Sequence, residues 1–395
     1  MIHRVAMIDP SAFTIPYDVH LCRALKDAGA KVTFYTRPTR ENDYFVQSVH
    51  ENWAVAGSVC QTVEHFYRVS ERLPGRAGGL PWKAGLKGME HVWNMNTLRR
   101  LLKRLQPNVV HFQWLVIPGV DRHFVRRLRA QAPVILTVHD TNAFLSPTSK
   151  LQKLGWRTAL QGFDRLIVHT QVGMRSLIDL GIDEVKVSVI PHGVFDSSGH
   201  HKEADATARN PDLCTLLAFG SIKHYKGLDI LIRALAQLPT TARSKTRLIV
   251  AGNPGASENI LRALAEESGV ASHIEWILKY IPDDQIPALF NRCDAVVFPY
   301  REIDASGALM TALPYGKAVV ASRLGLFDEL LQHEETALLV EPDNPSALAM
   351  ALTEIADYPA RTTALGERSA KLAKEVCGWE RIAKLTLEVY SDASS

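Results

Sequence analysis

The chain has 395 residues, 46% of them apolar and 22% charged, a composition that can bury a core and that excludes a disordered or fibrous protein. Its 45 Lys+Arg against 42 Asp+Glu leave a formal net charge of +3, and with no nucleic-acid motif present no nucleic-acid partner is expected. At roughly 150 residues per domain this length predicts two domains or one large one.

Short β-branched runs alternate with amphipathic stretches from end to end, the pattern of parallel sheets with crossover helices. In the first half strands are predicted at 3–8, 31–36, 108–113, 133–138, 164–169 and 186–190. Between the second and third of these, residues 68–104 carry nine Lys or Arg against only Glu71 and Glu90, with Leu80, Trp82, Leu86, Trp93, Leu98, Leu101 and Leu102 interleaved. Such a mixture suits a segment resting on an anionic membrane surface, and it equally suits a solvated helix face with a Gly-rich loop. Residues 193–212 hold almost no large apolar side chain and read as a linker or surface loop. The division predicted there gives a first domain of 1–195, a second of 196–375 and a closing segment of 376–395. In the second half strands are predicted at 214–219, 246–251, 273–277, 294–298, 317–321 and 337–340, with helices near 226–237, 256–268, 284–291, 306–315, 345–356 and 379–390. Charge divides unevenly: residues 1–190 hold 25 Lys+Arg and 15 Asp+Glu, a net +10, while 191–395 hold 20 and 27, a net −7.

Apolar runs such as 248–251, 295–298 and 318–321 are strand-sized, and none comes near the ~20 residues of a membrane-spanning helix. The opening MIHRVAMIDP lacks a signal peptide's basic start and long apolar core, so a cytoplasmic location is expected, with peripheral attachment to the inner membrane face as an extension of the 68–104 reading. Cys22, Cys60, Cys214, Cys293 and Cys377 are odd in number and form no CxxC, which argues against a disulfide framework or structural zinc.

The stretch LLAFGSIKHYKGLDILIRAL, residues 216–235, runs strand, Gly220, short basic loop, then Lys226-Gly227 and an amphipathic helix. A glycine lets the backbone approach a ligand closely, a helix start offers free N–H groups, and Lys223 and Lys226 add positive charge, so the stretch reads as an anion site. Residues 295–322 repeat the plan, with Asp304, Ser306 and Gly307 ending the loop before the helix. Capping explains Asp304 or Ser306 singly. Two anion-binding loops and a carboxylate at adjacent strand ends suit a diphosphate with a polyhydroxyl group attached.

On these residues the chain resembles glycosyltransferase family four, retaining nucleotide-sugar enzymes of the GT-B fold. The matching pieces are VIPHGV (189–194), FGSIKHYKGLDILIRAL (219–235), LIVAGNPG (248–255), YIPDDQIPALFNRCDAVVFPY (280–300), SGALMTALPYGKAVVAS (306–322) and ETALLVEPDNPSALAMAL (335–352). Residues 5–37, VVHFQW (109–114) and VILTVHD (134–140) resemble it more loosely, and GWERIAKLTLEVY (378–390) resembles its closing helix. The resemblance implies an α/β GT-B architecture, two Rossmann-like doubly wound parallel-sheet domains facing a central cleft. The first domain would take the acceptor, the second the nucleotide-sugar donor, and the closing helix would cross back to the first.

It also implies roles. Lys226 aligns with the lysine that holds the donor diphosphate, Ser221 replaces the usual partner arginine, and Lys223 on the same loop stands near enough in sequence to supply that charge. His139 matches the first-domain histidine beside the transferred sugar. Counting back from Gly316, the family's Glu-x7-Glu pair falls on Ile303 and Thr311, so this chain follows the branch written PYR-x-I-x-x-SG-x-L. There Glu302 or Asp304 would meet sugar hydroxyls, Ser306 and Gly307 would carry the loop contact, and Thr311 would offer the ribose a neutral hydroxyl. Tyr280 and Ile281 match the loop that meets the base, although a strand end before Pro282 fits them as well. Tyr17 and Asp18 occupy the acceptor-shaping loop 10–18, which lacks the family's Gly pair. No cofactor is expected beyond a UDP- or GDP-sugar substrate. Neither His111 nor the group His192, His200 and His201 has a complete ligand spacing, so no metal is expected, in line with the family's lack of a metal requirement.

The function implied is retaining transfer of a sugar to a hydroxyl acceptor, lipid-linked or oligosaccharide, in polysaccharide or glycolipid synthesis. A nucleotide-sugar epimerase or sugar phosphorylase of the same fold, or a non-catalytic nucleotide-sugar-binding scaffold, is the alternative. Donor sugar, nucleotide, acceptor, linkage and oligomeric state are not legible in the sequence.

Overall fold

The computed structural model of the chain describes residues 4–39, 60–72, 81–141, 154–195, 212–255 and 257–394, with side chains from 85 onward in the third of these stretches. His200 and His201, and Leu80 and the Trp82 side chain of the basic segment, lie outside them. Contacts divide the chain into one unit of residues 1–193 with 379–395 and another of residues 194–378.

The first unit is built on a seven-stranded, wholly parallel sheet: β1 (Arg4–Asp9), β2 (Lys31–Thr36), β3 (Gln61–Glu64), β4 (Val109–Phe112), β5 (Val134–Thr137), β6 (Arg165–Val168) and β7 (Val187–Val189). Their order is β3-β2-β1-β4-β5-β6-β7. The second unit holds β8 (Cys214–Phe219), β9 (Thr246–Ala251), β10 (Ile274–Ile277), β11 (Ala295–Phe298), β12 (Ala318–Ser322) and β13 (Leu338–Val340), in the order β10-β9-β8-β11-β12-β13. Both are open α/β sheets whose strand order reverses beside the first strand, and in such sheets ligands bind beyond the carboxyl ends of the strands at that reversal. For the second unit that point lies between β8 and β11.

These segments are strands because both faces are covered. Every residue of β4, β5, β11 and β12 is buried, as continuous apolar runs require in a parallel sheet. Consecutive residues feed opposite layers: Leu216, Leu248 and Val297 join one core cluster, while Leu217, Ile249 and Val296 join the cluster on the other face.

The short helices Thr240–Lys245 and Gly325–Leu330 escape the sequence pattern, and so do an edge strand and a long helix. Strand β3 is QTVE with no buried residue, and it pairs only with β2 at the sheet edge. Helix Pro359–Cys377 buries mainly small residues, including Gly366, Ser369 and Ala373, so its apolar period is faint. A Cβ at Gly366 would overlap the carbonyl of Gly316, so the helix backbone packs directly on the turn before β12.

The basic segment is mostly the long helix Pro81–Leu105. Leu98 and Leu102, counted among its surface apolar residues from the sequence, are core residues together with Met95. A buried relay anchors the helix: Tyr67 Oη lies 2.7 Å from His91 Nδ1, and His91 Nε2 lies 2.6 Å from Asp121 Oδ1. Glu90 accepts the backbone N–H groups of Val69 and Ser70 at 2.8 and 2.9 Å. Met89 and Trp93, four residues apart on the outer face, are 74% and 62% exposed.

Helix Trp379–Ser394 belongs to the first unit, where Trp379 packs edge-on to Tyr17 and Tyr390 Oη lies 2.7 Å from His111 Nδ1. All five cysteines are free, and among the described residues no helix is long and apolar enough to cross a membrane.

Candidate functional site

In the second unit, β8 ends at Phe219 and the chain turns at Gly220, whose φ of +100° is open to glycine. A Cβ at Gly220 would stand 3.1 Å from Lys226 Nζ, so the lysine lies across the bare backbone of this turn. The turn His224–Lys226 leads into Gly227, at φ +65°, and helix Leu228–Gln237. Gly227 has no room for a side chain, because a Cβ there would overlap the Pro299 carbonyl oxygen at the end of β11. The start of the helix that follows β8 is therefore in direct backbone contact with the end of β11.

Arg301, just beyond β11, locks this arrangement. Its guanidinium makes a bidentate pair with Asp229 at 2.9 and 2.7 Å and donates to the His224 carbonyl at 3.0 Å, while its backbone N–H donates to the Tyr225 carbonyl at 2.7 Å. Burial alone would push the Asp229 carboxyl up; the Arg301 hydrogen bonds and charge outweigh it and hold the carboxyl below its usual range.

Lys226 is the electrostatic centre of the loop. Its ammonium sits 5.5 Å from the centre of the Tyr300 ring and meets no carboxylate among the described residues. Burial, reinforced by the charge of Lys223, lowers its pKa from 10.5 to about 8. A half-buried cation that meets no counter-ion among the described residues, beside a glycine turn and a helix start, is an arrangement that suits an anionic ligand.

The structure brings Gly220, Ser221 and Lys226 into one recess with Pro299 and Tyr300. The other positions singled out from the sequence lie outside its lining. Lys223 and Glu302 are exposed, and Asp304 is half-buried. Ser306 is buried and caps helix Gly307–Ala312 by accepting from Leu309 N–H at 3.2 Å, and Gly307 is exposed. The Thr311 hydroxyl donates to the Gly307 carbonyl at 2.9 Å. Ile281 packs in the core, which leaves its main chain for any contact, and Tyr280 is partly exposed.

In the first unit the strand ends carry histidines. Tyr17 and Asp18, placed in a loop by the sequence reading, instead form the first turn of helix Ile15–Asp27, and both are fully buried, because Pro16 starts the helix early. Burial, together with the charge of Asp9, holds the Asp18 carboxyl well above its usual range. His139, after β5, is half-buried; Trp114 stacks on it with centroids 5.5 Å apart. His139 Nε2 lies 3.0 Å from Gln113 Oε1, and His139 Nδ1 lies 3.1 Å from Nε2 of His169, which follows β6. His169 Nδ1 in turn faces the Ile190 carbonyl at 3.0 Å. Burial, then the neighbouring His169 and His192, holds the His139 pKa far below the usual range; burial brings His169 to about 4 and His192 to about 3.

Arg301, Tyr300, Gln113 and His169 are the residues that sequence reasoning passed over. Arg301 stood inside the PYR motif, and TVHD, IVHT and VIPH each place a histidine just beyond the end of a strand.

Residues 201–372 match the family described as Glycosyl transferases group 1, and residues 19–197 match Glycosyltransferase Family 4. A D-inositol 3-phosphate glycosyltransferase of Kineococcus radiotolerans is 30% identical over 304 residues, covering 71% of this chain and 68% of that protein. The enzyme of the same name from Salinispora tropica is 26% identical, covering 95% and 80%. Among solved structures, sucrose-phosphate synthase of Thermosynechococcus elongatus aligns with a TM-score of 0.72 at 19% identity over 99% of this chain and 98% of that one. Anabaena HepE, solved with UDP and glucose, aligns with a TM-score of 0.72 at 17% identity over 99% and 100%. With two Rossmann-like parallel-sheet units, matches to both halves and a relative aligned over most of its length, the chain belongs to the family-four glycosyltransferases of the GT-B fold.

Proposed function

We propose that this glycosyltransferase moves a sugar, with retention, from a nucleotide diphosphate-sugar held in its second unit to a hydroxyl of an anionic acceptor. The observation that carries this reading is Lys226, a half-buried ammonium at the Gly220 turn that meets no carboxylate among the described residues. Cleaving the anomeric C–O bond leaves the electron pair on the diphosphate and builds positive charge on the sugar ring. Lys226, with Lys223 on the same loop, meets the departing negative charge, so the step needs no metal at the phosphates. The acceptor oxygen bonds to the anomeric carbon on the face the diphosphate leaves, and a diphosphate oxygen takes its proton. In this reading His139 Nε2 exchanges Gln113 for a sugar hydroxyl, Glu302 or Asp304 contacts the sugar, and the backbone of Tyr280 and Ile281 meets the base.

HepE, whose structure holds UDP and glucose, and relatives named for a phosphorylated inositol acceptor support a uridine donor and an acceptor bearing negative charge. Titration calorimetry of UDP, GDP, ADP and their sugars against the full chain tests the donor: one nucleotide family binds, and if none does the reading fails. Tyr17 and Asp18 are proposed for the acceptor side only through the helix they begin, since both are buried.

We further propose attachment to an anionic membrane surface in a polysaccharide or glycolipid pathway, through the exposed Met89 and Trp93 with Arg100, Lys103 and Arg104 on the same helix. Vesicles containing about 30% anionic lipid are expected to retain the protein at low salt and release it as salt rises, with Trp93→Glu weakening retention about tenfold. Equal retention by neutral vesicles, or none at low salt, overturns this part.

A further inference from the structure

Strands β5 and β6 are neighbours in the first sheet, and each is followed within two residues by a histidine, His139 and His169. The two rings meet, with His139 Nδ1 standing 3.1 Å from His169 Nε2. On its far side His169 Nδ1 stands 3.0 Å from the Ile190 carbonyl, and His139 Nε2 stands 3.0 Å from the Gln113 amide. One backbone oxygen, two imidazoles and one side-chain amide thus lie in a line of three hydrogen bonds. The rings are also held from the side. Trp114 stacks on His139 with centroids 5.5 Å apart, and the Tyr17 ring packs edge-on against His139 at 4.8 Å and His169 at 5.4 Å.

The order of protons along this line is set from the end that cannot turn over. That end is the Ile190 carbonyl, which only accepts, so His169 carries its proton on Nδ1 and donates it there. Both rings are neutral, since burial holds the His139 pKa far below its ordinary range and brings that of His169 to about 4. A neutral imidazole has one N–H, so His169 Nε2 is left with a lone pair, and the N–H across the 3.1 Å gap belongs to His139 Nδ1. His139 has then spent its own proton, and its Nε2 is left with a lone pair as well. Gln113 can serve either kind of partner, because a half-turn of its amide exchanges oxygen for N–H. Its other end lies 2.9 Å from the Met7 sulfur, a weak acceptor that holds the amide less firmly than a carbonyl holds His169.

We propose that His169 is a positioning residue, which fixes the proton of His139 on Nδ1 and so makes His139 Nε2 a hydrogen-bond acceptor. The consequence for sugar transfer rests on the role proposed above for His139. A sugar hydroxyl that takes the place of the Gln113 amide donates a hydrogen bond to Nε2, and the ring accepts it without gaining charge. A leucine at position 169 would leave His139 Nδ1–H buried without an acceptor, so the cheaper tautomer carries the proton on Nε2, where Gln113 Oε1 accepts it. That tautomer turns the sugar-facing nitrogen from acceptor to donor. A glutamine at 169 keeps both bonds, its N–H serving the Ile190 carbonyl and its Oε1 accepting from His139 Nδ1.

Nitrogen-15 NMR of the full chain labelled at histidine reads which ring nitrogen carries the proton, with His139→Gln assigning the His139 signals. In the ligand-free wild type the His139 proton is expected on Nδ1. His169→Leu should move it to Nε2, and His169→Gln should keep it on Nδ1. Calorimetry with UDP and UDP-glucose reads the consequence: His169→Leu should weaken UDP-glucose about tenfold, the size of one lost hydrogen bond, and leave UDP unchanged, while His169→Gln restores the wild-type affinity. A wild-type His139 proton on Nε2 overturns the proposal even if His169→Leu does not fold. A proton that stays on Nδ1 in folded His169→Leu overturns it as well, and so does an equal loss of UDP and UDP-glucose that glutamine does not restore. Wild-type protein that binds no UDP overturns the uridine donor reading alone, and the ring spectra still decide the role of His169.

Discussion

Lys226→Met is expected to remove nucleotide diphosphate binding and, at the same time, to make the ligand-free protein more stable at pH 7. The free protein pays for holding an ammonium in a half-buried recess where the partners are an aromatic ring and a second lysine. A folded-state pKa of about 8 against 10.5 unfolded corresponds to an upper bound of roughly 3–4 kcal/mol at about 1.4 kcal/mol per pH unit. Partial solvent access reduces the realised gain to about 1–2 kcal/mol. The sign follows from linkage: the folded state disfavours the protonated lysine, so the penalty is complete below about pH 8 and fades as pH rises from 8 toward 10.5. Methionine, unbranched and of similar length, packs beside Tyr300 without charge. Urea denaturation of both proteins at pH 7 and pH 10 should show the variant ahead at pH 7 and the two converging at pH 10. Calorimetry should show diphosphate affinity lower by at least about 100-fold, near 2.7 kcal/mol. A variant less stable by the same amount at both pH values would mean that Lys226 is a packing residue.

Gly227→Ala should be among the most damaging single-methyl additions in the second unit. Its φ of +65° costs an L-residue about 1 kcal/mol, and the added methyl would overlap the Pro299 carbonyl oxygen and press on Ile230. That oxygen is backbone at the end of a buried strand and cannot rotate away. The expected loss is on the order of 3–5 kcal/mol, together with nucleotide affinity, since the turn presenting Lys226 must shift. Gly269→Ala is the matched control. It has φ +68° and nothing within 4 Å of the added carbon, so only the backbone strain of about 1 kcal/mol should appear. Equal losses in the two variants by thermal denaturation would remove steric contact with β11 as the cause.

The backbone plan of the Gly220–Gly227 turn was readable because all its parts are local. A strand, Gly220, two lysines, Gly227 and an amphipathic helix follow one another within twenty residues, and each states its backbone geometry through its own side chain or lack of one. The strands of both sheets were readable for a related reason: burial on two faces writes a continuous apolar run. Where that reason lapses the reading lapses with it, as at the exposed edge strand QTVE and at helix Pro359–Cys377, whose buried face is made of small residues. Tyr17 and Asp18 show the same limit at close range, since a predicted loop proved to be the buried start of a helix.

By itself, then, the amino-acid sequence determined the α/β class, the strand segments of the two sheets, the family and the Gly220–Lys226 turn, because each is encoded within short windows or in the order of such windows. Only the tertiary structure decided which strand ends are neighbours. Arg301 reaches Asp229, 72 positions away, because β11 lies beside β8, and His139, His169 and His192 meet because β5, β6 and β7 are adjacent in the sheet. Sheet order is set by the packing of many distant side chains at once, and no local period of the sequence records it.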